Sequence, residues 1–142
     1  MDNRIKLSFP ARSEYERFAR TVAAAFAIPL DPTVEEMDEI KTAVSEAVTN
    51  SIIHGYHGQD GMIELEAKIS GFDITYIIRD SGEGIFDVDK AREPLYSGSG
   101  DPERSGMGFS IMEAFTDELT VESSVGKGTV VIIKKRVSRT AK

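Results

Sequence analysis

The chain has 142 residues, of which 40% are hydrophobic, so it is long enough for one domain with its own core. Its net charge is −7, from 24 acidic and 17 basic residues, which argues against nucleic acid as the main partner because phosphate binding needs a basic face. It has no cysteine, which excludes disulfides and thiolate chemistry. No apolar run approaches the roughly 20 residues of a membrane span, and none follows the first charges as in a signal peptide. We therefore expect a soluble, cytoplasmic domain.

The N-terminal third predicts one strand and two helices. Apolar and polar residues alternate from Ile5 to Phe9, which is typical of a short strand. Ser13 and Thr33 are each followed three residues later by glutamate, the pattern of a helix capping box. These two patterns predict helices over about 14–27 and 34–54. The first helix is expected to bury one face, made of Tyr15, Phe18, Ala19, Val22 and Phe26.

The rest of the chain predicts two β-hairpins that flank a helix. Four segments alternate with period two, and turn residues separate the members of each pair. The helix is expected over 109–115. The stretch 81–108 is rich in glycine, and so long a segment without clear periodicity inside a compact domain is usually functional or mobile. The four expected strands are 62–70, 72–80, 118–124 and 128–136.

The order of these elements predicts the fold class. Helices and strands are partly segregated along the chain, which favours an α+β fold. We expect a two-layer sandwich in which helices cover one face of a mixed, mostly antiparallel sheet. Residues 1–136 would form the single domain, and 137–142 would be a disordered tail.

A row of polar side chains lies along the second predicted helix. Glu46, Asn50 and His54 follow one another at intervals of one turn, and the row slants from the polar face toward the apolar edge. A glutamate in this position is usually just solvated, but an asparagine in mid-helix needs a hydrogen-bonding partner. A carboxylate and an amide one turn apart also suit a metal–phosphate site. The pattern leaves both interpretations open, and it favours a structural role for His54 at the helix end.

Two glycine motifs accompany this row. Asp80 ends a predicted strand and is followed by Gly82 and Gly84, so the backbone there can turn sharply and approach a ligand closely. Gly106 and Gly108 directly precede a helix, where open backbone amides can bind an anion. Either motif alone is common in turns and helix starts. Neither has the spacing of a dinucleotide fingerprint or a Walker loop.

The combination of these motifs is more specific than any one of them. In order along the chain come a Glu-x-x-x-Asn helix, Asp-x-Gly-x-Gly after a strand, Gly-x-Gly before a helix, and a late Gly-Thr. From about residue 33 to 133 the chain resembles the ATP-binding domain of gyrase, a heat-shock chaperone, histidine kinases and MutL, the GHKL superfamily with the Bergerat fold. Over its whole length it resembles the small anti-sigma factor serine kinases related to the anti-sigma F factor of spore-forming bacteria.

The resemblance implies a role for each polar residue of the motifs. Asn50 would bind Mg²⁺, and Glu46 would activate the nucleophile as the catalytic base. Asp80 would accept a hydrogen bond from the adenine amino group. Arg104 would meet the γ-phosphate, as the second catalytic residue. ATP or ADP would also be contacted by Gly82, Gly84, Gly106, Met107, Gly108 and Thr129.

The resemblance also implies the partners. Members of this family hold a sigma factor inactive and phosphorylate a serine on a small anti-anti-sigma protein. They form homodimers through the face that bears the N-terminal strand and helix, and they have a lid, here about 92–105, over the triphosphate. Arg20 matches a partner-contacting arginine, although its position is equally typical of a solvated helix residue.

Three other functions are alternatives to this one. The domain could be a nucleotide-gated sigma-binding module without phosphotransfer, although the presence of both Glu46 and Asn50 argues for chemistry. It could also be a general-stress anti-sigma kinase. The catalytic piece of a sensor histidine kinase would need a separate phosphoacceptor histidine, and His54 and His57 both lie at the helix that would form the ATP site.

Overall fold

The computed structural model describes residues 3–93 and 108–138. The four α-helices in this part of the chain are α1 (Glu16–Phe26), α2 (Val34–Asn50), α3 (Val88–Ala91) and α4 (Gly108–Ala114). The five strands are β1 (Asn3–Pro10), β2 (Met62–Ser70), β3 (Asp73–Asp80), β4 (Glu118–Ser124) and β5 (Gly128–Arg136). Short 3₁₀ turns at Ser13–Tyr15 and Ile28–Leu30 flank α1.

The strands form one sheet in the order β1-β2-β3-β5-β4. All four pairings between the described strands are antiparallel, so the expected α+β fold is confirmed, without the parallel pair that a mixed sheet would contain. β3 is the central strand, and its register places Asp80 opposite Ile63 on one side and Thr129 on the other. The last residue of β3 therefore lies against the first residues of β5.

The helices cover one face of this sheet. The side chains that alternate toward the helices are almost all apolar and buried, which is the pattern of a half-covered antiparallel sheet. The core continues into α1, α2 and α4. Its largest fully buried side chain is Tyr76, whose hydroxyl donates a 2.6 Å hydrogen bond to the Ala23 carbonyl oxygen of α1. This bond ties the central strand to the first helix, and burial raises the pKa of the phenol.

The start of α2 is built as the sequence predicts. The Thr33 hydroxyl accepts from the Glu36 amide at 3.0 Å, and the Glu36 carboxylate accepts from the Thr33 amide at 2.9 Å. This reciprocal capping box satisfies two donors that the first helical turn would otherwise leave open. The buried face of α2 comprises Ile40, Ala43, Val44, Ala47 and Val48.

The prediction for α1 was wrong in two respects. Ser13 makes no capping hydrogen bond, because the chain first forms a 3₁₀ turn and α1 starts only at Glu16. The buried residues also differ from the predicted ones: Phe18 is 48% exposed, whereas Ala23 and Ala24 are buried together with the predicted Ala19. Small side chains at this face allow α1 to pack closely against its neighbours.

The disordered tail predicted for 137–142 includes two residues that are part of the folded domain. The Val137 side chain is buried in the core and its amide donates to the Phe72 carbonyl oxygen. Ser138 donates twice to the Glu36 carboxylate, through its amide and its hydroxyl. These two residues therefore belong to the domain, and 139–142 lie outside the described residues.

The face of the sheet away from the helices carries a cluster of charges. Arg79 on β3 donates to Glu64 at 2.9 Å and to Glu66 at 3.0 Å, both on β2. Arg4 and Lys6 on β1 approach the same two carboxylates at 3.5 and 3.7 Å. The hydrogen bond from Arg79 is the main reason that the pKa of Glu66 lies below its usual range.

This lowered pKa predicts a pH-dependent stability. A carboxylate with a depressed folded-state pKa contributes fully above its unfolded pKa, and that contribution disappears as the pH falls through the folded value. We expect Glu66→Gln to lower the free energy of unfolding by about 1 kcal/mol at pH 7. The difference from the wild type should narrow as the pH falls from about 5 toward 3.

Urea unfolding at pH 7 and pH 3 measures this difference. Glu122→Gln, at an exposed position of β4, is the matched control and should change little at either pH. An equal loss for Glu66→Gln at both pH values would contradict the assignment of the stabilisation to the ionised carboxylate.

Candidate nucleotide site

The second helix changes its pitch at the point where it reaches the sheet edge. After Asn50 the chain continues as a π turn over Ser51–Gly55, with the Tyr56 amide donating to the Ser51 carbonyl oxygen at 2.9 Å. The sequence predicted helix to about 54, which is correct in extent but not in type. A π turn widens the helix by one residue and is frequently found at functional sites. Here it brings Gly55 against the end of β3.

Asp80 is a buried carboxylate at this junction, and its residue is 8% exposed. One oxygen, Oδ2, accepts from the Ser51 hydroxyl at 2.7 Å. The other, Oδ1, accepts from the Gly82 amide at 2.9 Å. Each carboxylate oxygen has two lone pairs, so both retain capacity for a further donor. Asp80 is thus held in one orientation and can still accept hydrogen bonds from a ligand.

Close backbone contacts explain two of the predicted glycines. A Cβ atom on Gly82 would lie 2.3 Å from the Gly55 carbonyl oxygen, so no side chain fits there. The same carbonyl accepts from the Glu83 amide at 2.8 Å, which fastens the loop to the π turn. Gly84 has φ +83° and lies against Ser124, where a Cβ atom would come within 2.1 Å of the carbonyl oxygen. These contacts join the loop after β3 to the end of α2 and to the β4–β5 turn.

Thr129 lies beside Asp80 on the neighbouring strand. Its hydroxyl is 2.8 Å from the Ser123 hydroxyl, which also donates to the Gly128 carbonyl oxygen and accepts from the Ile85 amide. Thr129 is 8% exposed and lines the same cavity as Asp80. The carboxylate and the hydroxyl lie side by side and form a polar patch in the cavity wall.

Glu46 and Asn50 meet the start of α4. A Cβ atom built on Gly108 would lie 3.2 Å from Glu46 Oε2 and 3.3 Å from Asn50 Oδ1. The acid and the amide of the predicted row therefore reach the same point, one turn apart on α2. Because Gly108 has no side chain, the start of α4 can approach these two side chains closely.

These elements enclose a cavity of about 730 Å³, a size typical of small-molecule sites. Its walls come from the end of α2, the π turn, the end of β3, the following loop, α3, the start of α4, and the β4–β5 hairpin. The lining residues are Ala47, Asn50, Ser51, His54, Gly55, His57, Asp80, Glu83, Gly84, Ile85, Phe86, Asp87, Lys90, Ala91, Gly108, Phe109, Val125, Thr129 and Val131.

The structure brings most of the predicted site residues together. Five of them line the cavity: Asn50, Asp80, Gly84, Gly108 and Thr129. Glu46 reaches its edge at Gly108, and Gly82 lies behind Asp80. Three others, Arg104, Gly106 and Met107, lie outside the described residues, as does most of the expected lid.

Arg20 lies on α1 and is not part of the cavity lining. Its Nε atom is 3.6 Å from the Glu16 carboxylate one turn earlier. The guanidinium is partly exposed, so it is accessible from the surface that α1 presents.

Sequence reasoning missed several residues of the cavity. Ser51 was not among the predicted site residues, yet its hydroxyl donates to the Asp80 carboxylate. His54 was given a structural role, and the structure places it in the cavity lining. His57 and Glu83 form a 2.9 Å pair at the exposed rim. One sequence pattern could have located α3 in the cavity wall. Asp87 precedes Lys90 by three residues, the spacing of an N-cap, and its carboxylate accepts from the Lys90 amide.

Comparison with known proteins agrees with this geometry. A family model described as a histidine kinase-like ATPase domain matches residues 9–135. The chain is 52% identical to an anti-sigma F factor of Clostridium beijerinckii over 136 residues, which is 95% of both chains. It is 54% identical to an anti-sigma F factor of Thermoanaerobacter sp. over 135 residues, with 95% of this chain and 94% of that one covered.

A solved structure supports the same fold. The crystal structure of the RsbU and RsbW domains of Rv1364c from Mycobacterium tuberculosis superimposes with a TM-score of 0.72 over 99% of this chain, at 21% identity. This chain spans 34% of that longer chain, and at this identity the likeness shows the fold alone.

The chain therefore belongs to the histidine kinase-like ATPase domain family and, within it, to the family of anti-sigma F factors. This class of domain is ATP-dependent and kinase-like. Within residues 3–93 and 108–138, no helix is long and apolar enough to cross a bilayer.

The Ser51–Asp80 hydrogen bond predicts a coupling between stability and nucleotide affinity. Ser51→Ala should lower the free energy of unfolding by about 1 kcal/mol, because it removes a buried hydrogen bond. It should also weaken ATP binding by about 3–10-fold, because the Asp80 carboxylate loses one of the two donors that orient it. Calorimetric titration and urea unfolding measure the two effects.

Ser81→Ala, one residue beyond β3 and exposed, is the control and should change neither quantity. If Ser51→Ala loses stability but binds ATP as the wild type does, the hydrogen bond supports the fold without orienting Asp80 for a ligand.

Proposed function

We propose that the protein is an ATP-dependent protein-serine kinase and anti-sigma factor. It would bind a sporulation sigma factor and phosphorylate a serine of an anti-anti-sigma protein. The observation that carries the proposal is a single cavity lined by the doubly held, buried Asp80 and by Asn50, with Glu46 beside Asn50 at its edge. The similarity to anti-sigma F factors supports the choice of partners.

Asp80 would recognise the base. The exocyclic amino group of adenine is a donor, and the Asp80 carboxylate retains acceptor capacity toward the cavity. Thr129 would add a hydroxyl on the neighbouring strand, and Gly82 and Gly84 would let the backbone pass close to the base. A guanine or hypoxanthine base presents a carbonyl oxygen at the same position, so two acceptors would face each other. This arrangement would select adenine.

Asn50 and Glu46 would act at the phosphate end. No group of three or more carboxylate, histidine or cysteine side chains gathers among the described residues, so an all-protein metal cage is not present there. Mg²⁺ needs no such cage, because it commonly takes one or two protein oxygens together with water and substrate phosphates. The Asn50 amide oxygen would offer one hard oxygen donor to the ion, and the Glu46 carboxylate lies beside it. When bound, Mg²⁺ would neutralise phosphate charge.

The transfer step would run as follows. The substrate serine hydroxyl attacks the γ-phosphorus of ATP, a new O–P bond forms, and the bond to the β,γ-bridging oxygen breaks to release ADP. Glu46 takes the serine proton. We assign Arg104 to the charge on the γ-phosphoryl group, and Gly106, Met107 and Gly108 to the neighbouring phosphates.

We assign the protein contacts to the α1 side of the molecule. Arg20 is partly exposed, and a partner carboxylate would compete there with Glu16 for its guanidinium. A homodimer through the face that bears β1 and α1 would leave the nucleotide cavity accessible, because neither element contributes to its lining.

The assignment of Asp80 to the adenine base predicts that Asp80→Asn loses affinity for adenine nucleotides. The amide would present a donor where the carboxylate accepts, so we expect ATP and ADP to bind about 10–100-fold more weakly. Calorimetric titration measures this change. Asp60→Asn, on a side chain that is 96% exposed, is the control and should bind as the wild type does. Wild-type affinity in Asp80→Asn would show that the base lies elsewhere.

The assignment of Glu46 as the catalytic base predicts a variant that binds ATP normally but transfers phosphate slowly. Glu46→Gln keeps the shape of the side chain but cannot accept the proton, so serine phosphorylation should slow by about 10²–10⁴-fold. The dissociation constant for ATP should stay within about threefold, because glutamine retains an oxygen donor. Labelled ATP, Mg²⁺ and the anti-anti-sigma protein of the same organism supply the assay.

Glu35→Gln, at an exposed position in the first turn of α2, is the matched control and should phosphorylate normally. Nucleotide binding by the wild type without any serine phosphorylation would instead favour a nucleotide-gated sigma-binding module. If Glu46→Gln phosphorylates serine as fast as the wild type, Glu46 is not the catalytic base.

A further inference from the structure

Most of the charged side chains among the described residues of the cavity lining are acidic. Asp80, Glu83 and Asp87 line the cavity, and Glu46 reaches its edge. Nucleotide phosphates are anionic, so a site that holds them needs positive charge close to the phosphate oxygens. Among the described lining residues, Lys90 is the only lysine or arginine.

The one-turn helix α3 fixes where Lys90 lies. Asp87 caps α3 by accepting from the Lys90 amide at 3.1 Å, and the Ala91 amide donates to the Asp87 carbonyl oxygen. Val88 and Ala91 pack against the hydrophobic core, so this turn is anchored by one face. Lys90 therefore projects from a positioned element rather than from an unanchored loop.

The two cations of this turn have different environments. Arg92 Nη2 lies 3.5 Å from the Glu113 carboxylate, which connects α3 to α4. Arg92 is absent from the cavity lining, whereas Lys90 is part of it. A lysine ammonium on a flexible four-carbon stem acts as a point charge and can follow a phosphate group without fixed geometry.

We propose that Lys90 is a phosphate-binding residue of the nucleotide site. The inference rests on the proposed function, because it takes an adenine nucleotide as the occupant of the cavity. The Lys90 ammonium would contact the phosphate chain from the α3 side of the cavity. It would thereby offset the carboxylates that line the rest of the cavity.

A comparison of ligands that differ only in phosphate number tests this contact. Wild type, Lys90→Met and Lys90→Arg are titrated calorimetrically with adenosine, AMP, ADP and ATP in the presence of Mg²⁺. In Lys90→Met we expect ADP and ATP to bind about 5–20-fold more weakly, the range for one lost charge-assisted contact. Adenosine should bind within about twofold of the wild type, and Lys90→Arg should retain most of the ADP affinity.

Lys127→Met is the matched control, since Lys127 lies exposed in the β4–β5 turn and is not part of the cavity lining. It should bind all four ligands as the wild type does. Equal weakening of adenosine and ADP in Lys90→Met would overturn the proposal, because that result indicates damage to α3 instead of a lost phosphate contact. Unchanged ADP and ATP affinity would overturn it as well.

The same titrations separate this inference from the proposed function. If the wild type binds neither adenosine nor ATP, the nucleotide site itself is wrong. If the wild type prefers ATP to adenosine and Lys90→Met keeps that preference in full, only the role of Lys90 is wrong.

Discussion

The hydrogen bonds of Asp80 are the interaction on which the rest of the site depends. They join three elements that are distant in sequence: the π turn through Ser51, the end of β3, and the following loop through the Gly82 amide. A buried carboxylate is costly unless its oxygens are hydrogen-bonded, so each of the two donors contributes to the stability of this arrangement. The same two bonds set the direction in which the carboxylate accepts from a ligand.

The contacts around Asp80 also determine the shape of the cavity. Gly82 packs on the Gly55 carbonyl and Gly84 on the β4–β5 turn, so the loop after β3 is held from both sides. The opposite wall is formed where α2 approaches Gly108 at the start of α4. The proposed base contact at Asp80 and the proposed phosphate contacts at Asn50 and Gly108 would therefore lie in one cavity, where the sheet and helix layers meet.

The sequence predicted the parts of this structure that depend on local patterns. Period-two alternation identified the strands, and the Thr33 capping box identified the start of α2. The sequence did not reveal the π turn, because this turn packs against a segment distant along the chain, where the Gly55 carbonyl oxygen accepts from the Glu83 amide. The buried face of α1 was wrong at Phe18 for a related reason: the packing surface selects small side chains over large ones. The order of the motifs along the sequence identified most of the candidate site residues. Lys90 belongs to no motif and was identified only because it lines the cavity.

We infer that an adenine base binds against Asp80. Backbone amide chemical shifts, recorded during titration with ADP and, separately, with inosine diphosphate, each with Mg²⁺, test this contact. With ADP, we expect the Gly82, Gly84 and Thr129 amides to shift most. Inosine diphosphate should shift them much less, because its base presents a carbonyl oxygen to the carboxylate. Equal shifts with both nucleotides, or shifts confined to the charged face around Glu64 and Glu66, would contradict the claim.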